Sequence, residues 1–245
     1  MTEIAITGRN PSMRAGRRIV LFDLFGVIAL RQRPGALAQM ASWCDTPEEA
    51  FAQAYWALRP PYDAARQSAP EYWAAVLRRL ARPVDTGVVE KLRLADIDSW
   101  SRVDQRMIAY ALSLRERARV ALLSNIPADH ADAFLAAQPW LRDLDHVAFS
   151  GKIHAAKPEP AAFHHAVTAL RAAPADFLFI DDREENVHAA QVLGMNGHLF
   201  TTLDALAPTV DRWLTTSQRR PDPVPATSAR TSRASAAREP PDATL

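Results

Sequence analysis

The chain is 245 residues long, with 48% hydrophobic and 23% charged residues and a formal net charge of +1. That length suits one well-buried core with a small accessory domain, and the balanced charge argues against nucleic acid or an anionic membrane as the main partner. Cys44 is the only cysteine, which excludes an intrachain disulfide and a cysteine-built zinc site.

Residues 1–16 are polar, without an apolar run of signal-peptide length, and predict a flexible N-terminal tail. No segment approaches the roughly 20 apolar residues of a membrane span. The expectation is a cytoplasmic protein, monomer or homodimer, that takes a small-molecule substrate and binds neither nucleic acid nor membrane.

Arg18–Asp23 (RIVLFD) is the first predicted strand. Arg119–Ser124, Asp145–Phe149, Phe177–Asp181 and Gly197–Phe200 follow. Near-continuous apolar runs, rather than alternation, suit parallel strands covered on both faces. Helical patterns over Val103–Arg117, Asp129–Ala137, Pro160–Arg171, Glu184–Leu193 and Leu203–Leu214 lie between and after them. Alternation of this kind predicts an α/β fold with a doubly wound, Rossmann-like parallel sheet.

About ninety-five residues separate the first two strands, far more than one crossover helix needs. This stretch reads as helical, with Pro60-Pro61 and Pro83 as breaks. The predicted organisation is a core domain over 17–34 and 101–216, a helical insertion over 35–100, and a C-terminal tail over 217–245. That tail is rich in Pro, Ser, Ala and Arg and is expected to be disordered.

In an open α/β sheet, ligands bind beyond the carboxyl ends of the strands. Asp23, Ser124-Asn125 and Asp181-Asp182 stand at three such ends, and Lys157 precedes the helix that begins near Pro160. In the insertion, Tyr55, Trp56, Arg59, Tyr62, Arg66, Tyr72 and Trp73 either line a substrate pocket or form the insertion's own core. Arg59 and Arg66 are candidates to read a second anionic group of a substrate.

FDLFGVI at Phe22–Ile28, LLSNIP at Leu122–Pro127, AKPEPAAFHHAV at Ala156–Val167 and FIDDREENVHAAQVLGM at Phe179–Met195 resemble, in order, the four motifs of the haloacid dehalogenase (HAD) superfamily. The insertion sits where that family carries its cap domain. The resemblance implies a phosphatase-like hydrolase with Asp23 as covalent nucleophile. It implies Mg²⁺ held by Asp23, the backbone carbonyl of Phe25, Asp181 and Asp182, with Asp182 either a direct ligand or a group that orients Lys157. It further implies Lys157 as the charge-neutralising catalytic cation and Ser124 and Asn125 as phosphoryl binders.

Two positions depart from the family pattern. Most phosphatases of the superfamily place a second Asp, the proton donor to the leaving group, where this chain has Phe25. An aromatic residue there resembles the metal-independent 2-haloacid dehalogenases, which need no acid, whereas Asp181-Asp182 is of the phosphatase type. A catalytically weak binding protein is the third alternative. His154 replaces the Gly that many relatives carry before the Lys-Pro pair, and is a candidate surrogate donor.

Overall fold

The computed structural model describes residues 18–216; both expected tails lie outside the described residues. Five parallel strands, β1 (Ile19–Phe22), β2 (Arg119–Ser124), β3 (His146–Phe149), β4 (Phe177–Asp181) and β5 (Asn196–Leu199), form one sheet in the order β3-β2-β1-β4-β5. Order reverses at β1, so the switch point lies where β1 and β4 run side by side, Phe22 opposite Ile180. Each predicted strand is found within one residue of its expected start and end.

Side chains along a strand point alternately to the two faces, and the core divides accordingly. Val20, Phe22, Val120, Leu122, Leu178 and Ile180 pack on one face, and Ile19, Leu21, Ala121, Leu123, Phe177 and Phe179 on the other. Both faces are covered, which is why these strands are apolar without a break.

Helices α1 (Ala36–Trp43), α2 (Glu48–Asp63), α3 (Ala69–Arg79) and α4 (Thr86–Ser99) form the insertion. α5 (Gln105–Ser113), α6 (Ala128–Ala137), α7 (Ser150–Ile153), α8 (Pro160–Leu170), α9 (Glu184–Val192) and α10 (Leu203–Thr216) belong to the sheet layers. Residues of α5, α6 and α10 cover the Val20 face, and residues of α8 and α9 the Ile19 face. Short polar residues start several helices: Ser68 and Glu71 close a capping box on α3, and Asp85 and Asp104 cap α4 and α5.

The insertion has its own apolar cluster, centred on Phe51, Tyr55, Tyr72, Trp73, Val76 and Leu92. Burying each large side chain contributes roughly 1.5–3 kcal/mol, enough for this layer to hold its own shape. It joins the core through two adjacent chain segments, with Leu30 N–H on the Arg102 carbonyl and Asp104 N–H on the Ile28 carbonyl, both at 2.9 Å.

One expectation is corrected. Pro60-Pro61 does not break the helix; both lie inside the last turn of α2. They deprive only the carbonyls of Trp56 and Ala57 of an N–H donor. Those residues and both prolines are exposed, so water takes the place of the lost bonds.

Candidate functional site

The site is assembled at the carboxyl end of the sheet. Asp23 follows β1 directly, and its N–H continues the pairing by donating to the Ile180 carbonyl at 2.8 Å. Asp181 closes β4, Ser124 closes β2, and Lys157 enters from the loop before α8. All four are buried.

Lys157 Nζ lies 2.6 Å from Asp23 Oδ1 and 2.7 Å from Asp181 Oδ2. Burial disfavours the ammonium, but the two carboxylates together hold its pKa above the ordinary lysine value. For Asp23 the balance differs. Burial pushes its pKa up to about 7, against the pull of Lys157, and Asp181 adds to the rise.

Asp181 is held from three sides, by Lys157, by Asn186 Nδ2 at 3.0 and 3.1 Å, and by the Arg183 N–H at 2.9 Å. Asn186 thus ties the loop after β4 back to the end of that strand. Asp182 does not orient Lys157; that task falls to Asp23 and Asp181, and Asp182 is paired with Arg31 at 2.6 Å. Carboxylate oxygens of Asp23, Asp181 and Asp182 lie within 4.8 Å of one another. Three carboxylates so close, with a single buried ammonium between two of them, suit a small hard cation with oxygen ligands.

Gly26 makes this approach possible. Its φ is +86°, and a Cβ there would lie 2.2 Å from Asp182 Oδ2. Only glycine combines that dihedral with contact against the acidic loop.

The Ser124–Asn125 pair divides its work. Ser124 Oγ is buried and has no hydrogen-bond partner among the described residues, which leaves it open to a ligand. The Asn125 side chain instead clamps the Lys157 backbone, donating to its carbonyl at 2.7 Å and accepting from its N–H at 2.8 Å.

These groups open into a cleft of about 400 Å³ between the sheet rim and the insertion. Asp23, Phe25, Ser124, Asn125, Lys157 and Asp182 line the core side; Gln32, Trp56, Arg59, Asp63 and Trp100 line the other. Phe25 packs edge-on against Trp100, with ring centroids 4.9 Å apart. The aromatic candidates separate: Trp56 faces the cleft, whereas Tyr55, Tyr62, Tyr72 and Trp73 belong to the insertion's core. Arg66 pairs with Glu159 of the core at 2.6 Å and does not line the cleft, and neither does exposed His154. The φ of +57° at His154 explains why glycine suits that position.

Arg59 lines the cleft but is heavily engaged. It bonds Asp63 at 2.8 Å, Asp96 at 2.7 Å and the Tyr55 hydroxyl. Burial disfavours a charge on Asp96, yet Arg59 and His130 hold its pKa well below the carboxylate range. Arg31, Gln32, Asp63 and Trp100 were not singled out from the sequence, because no motif or periodicity marks them; the fold alone brings them to the cleft.

The family model described as haloacid dehalogenase-like hydrolase matches residues 17–194. Among solved structures, a HAD family enzyme from Bacteroides thetaiotaomicron, in complex with magnesium and inorganic phosphate, is 22% identical, with a TM-score of 0.65 over 78% of this chain and 100% of that one. A protein from Porphyromonas gingivalis described as a predicted HAD-like family hydrolase is 22% identical, with a TM-score of 0.62 over 81% of this chain and 98% of that one. L-2-haloacid dehalogenase from Xanthobacter autotrophicus, with chloropropionic acid covalently bound, is 18% identical, with a TM-score of 0.56 over 80% and 83%. At these identities the likeness establishes the fold.

Proposed function

The chain belongs to the haloacid dehalogenase-like hydrolase family, and we propose that within it the protein is a Mg²⁺-dependent phosphatase of a small phosphorylated metabolite, working through an aspartyl-phosphate on Asp23. The observation that carries this reading is the cluster of Asp23, Asp181 and Asp182, the first two sharing one buried ammonium, beside a Ser124 hydroxyl unpartnered among the described residues. The solved relative with magnesium and inorganic phosphate supports it.

Asp23, Asp181, Asp182 and the Phe25 carbonyl would hold Mg²⁺. When bound, the cation neutralises the repulsion between a phosphate dianion and the Asp23 carboxylate. An Asp23 oxygen attacks phosphorus, the bond to the leaving oxygen breaks, and water then hydrolyses the aspartyl-phosphate. Lys157 steadies the charge that spreads over the transferring group, and Ser124 Oγ donates to a phosphoryl oxygen. Asn125, through its two bonds to the Lys157 backbone, aligns that cation. The insertion acts as the cap and shields the aspartyl-phosphate from bulk water. Phosphate release from a metabolite panel, with and without EDTA, tests the reading. Equal release by wild type and Asp23→Asn would refute it.

One observation favours a second reading. Phe25, not a carboxylic acid, faces the cleft beside Trp56 and Trp100, as suits a 2-haloacid dehalogenase whose halide leaves unprotonated. It predicts metal-independent chloride release from 2-chloroacids, and no chloride would dismiss it.

A further inference from the structure

We infer that Asp63, at the end of α2 in the insertion, is the proton donor to the leaving group, replacing from across the cleft the acid that is missing at Phe25. This rests on the phosphatase reading. Among the described residues that line the cleft there is no His, Tyr, Cys or Glu, and Asp63 is the one carboxyl group outside the Asp23–Asp181–Asp182 cluster. The hydroxyls and cations present are far too weak as acids to serve at neutral pH.

Asp63 is also fixed to the core through its backbone. Ser150 Oγ, fully buried, donates to the Asp63 carbonyl at 2.6 Å and accepts the Ile126 N–H at 2.8 Å. One hydroxyl thus spans from Asp63 to the loop that carries Ser124 and Asn125. On the side chain, Arg59 Nε holds Oδ1 at 2.8 Å, which leaves Oδ2 without a hydrogen bond among the described residues. The side chain is 20% exposed and borders the cleft. The charged and titratable groups that face it are Arg59, His130 and Asp96. Burial raises its pKa against the pull of Arg59, in the direction an acid needs.

The step balances. As the phosphorus–oxygen bond breaks, the leaving alkoxide takes the Asp63 proton and departs as an alcohol. Water then hydrolyses the aspartyl-phosphate, its proton leaving with the released phosphate. The Asp63 carboxylate regains a proton from bulk solvent, so that only the first half-reaction depends on Asp63.

The test is a leaving-group split in Asp63→Asn, which keeps the backbone carbonyl and a side-chain oxygen for Arg59. The two probes are 4-nitrophenyl phosphate, whose phenolate leaves without a proton, and a panel of glycerol, pentose and hexose phosphates. We expect kcat on alkyl phosphates to fall about 10²–10³-fold, and on the aryl ester by about threefold or less. Asp63→Glu should recover part of the alkyl activity. An equal fall on both probes, or no fall on either, overturns the inference, as does a wild type that cleaves the aryl ester but no alkyl phosphate. If wild type matches Asp23→Asn on both probes, the phosphatase reading itself has failed.

Discussion

The Lys157 ammonium sits between two carboxylates, 2.6 Å from Asp23 and 2.7 Å from Asp181, and both contacts are buried. It is the cation on which the acidic cluster closes, so its removal leaves buried like charges facing each other. Lys157→Met should lower kcat about 10²–10³-fold and destabilise the metal-free protein by about 3–5 kcal/mol. Urea unfolding with Mg²⁺ and with EDTA checks this; part of the lost stability should return with Mg²⁺. Equal loss in both conditions would count against a cation site here.

Ser124→Ala should separate stability from activity. Among the described residues the buried hydroxyl has no partner, so its loss removes an unpaired polar group and should leave stability unchanged or raised by up to about 1 kcal/mol. If Ser124 grips a phosphoryl oxygen, kcat/KM falls about 10–100-fold over the same change. Thermal melts and steady-state kinetics on one preparation read both.

Gly26→Ala places a methyl group 2.2 Å from Asp182 Oδ2 at a φ of +86°. The expected cost is about 1–3 kcal/mol, with a displaced acidic loop and weakened Mg²⁺ affinity. Isothermal titration with Mg²⁺ reports the second effect. An unchanged affinity would show that Asp182 does not contribute to the cation site.

His146 on β3 predicts an acid limb in stability. Burial, with help from His165 and Arg119, lowers its pKa to about 4 from the ordinary 6.5. The unfolded chain therefore binds a proton between those values that the folded chain resists. Its contribution is complete above about pH 6.5 and is lost as pH falls towards 4. His146→Asn should flatten the dependence of unfolding free energy on pH in that window, as measured by urea titration at several pH values. An unchanged slope would show that another group carries it.

The sheet was legible because IVLF and FLFID are apolar at every position but the last Asp, a pattern that only strands covered on both faces require. The polar rim was legible because Asp23, Ser124 and Asp181 stand at or just beyond the ends of such runs. Neighbours on one helix show where legibility stopped. Tyr55 and Trp56 are adjacent aromatics of α2, yet one fills the insertion's core and the other lines the cleft. Which face of α2 is covered depends on α3 and α4, so composition cannot separate them. Asp63 and Arg31 were invisible for the same reason, since their partners Arg59, Ser150 and Asp182 meet them only through packing. Pro60-Pro61 misled because a proline pair is tolerated in an exposed last turn.

The central claim is that Asp23 is a nucleophile that takes a phosphoryl group with Mg²⁺ in place. Beryllium fluoride mimics a phosphoryl group on a carboxylate, and fluorine NMR detects the adduct directly. The account predicts a bound signal in wild type with Mg²⁺, and none after EDTA or in Asp23→Asn. A bound signal that persists in Asp23→Asn, or that forms equally well without Mg²⁺, would contradict it.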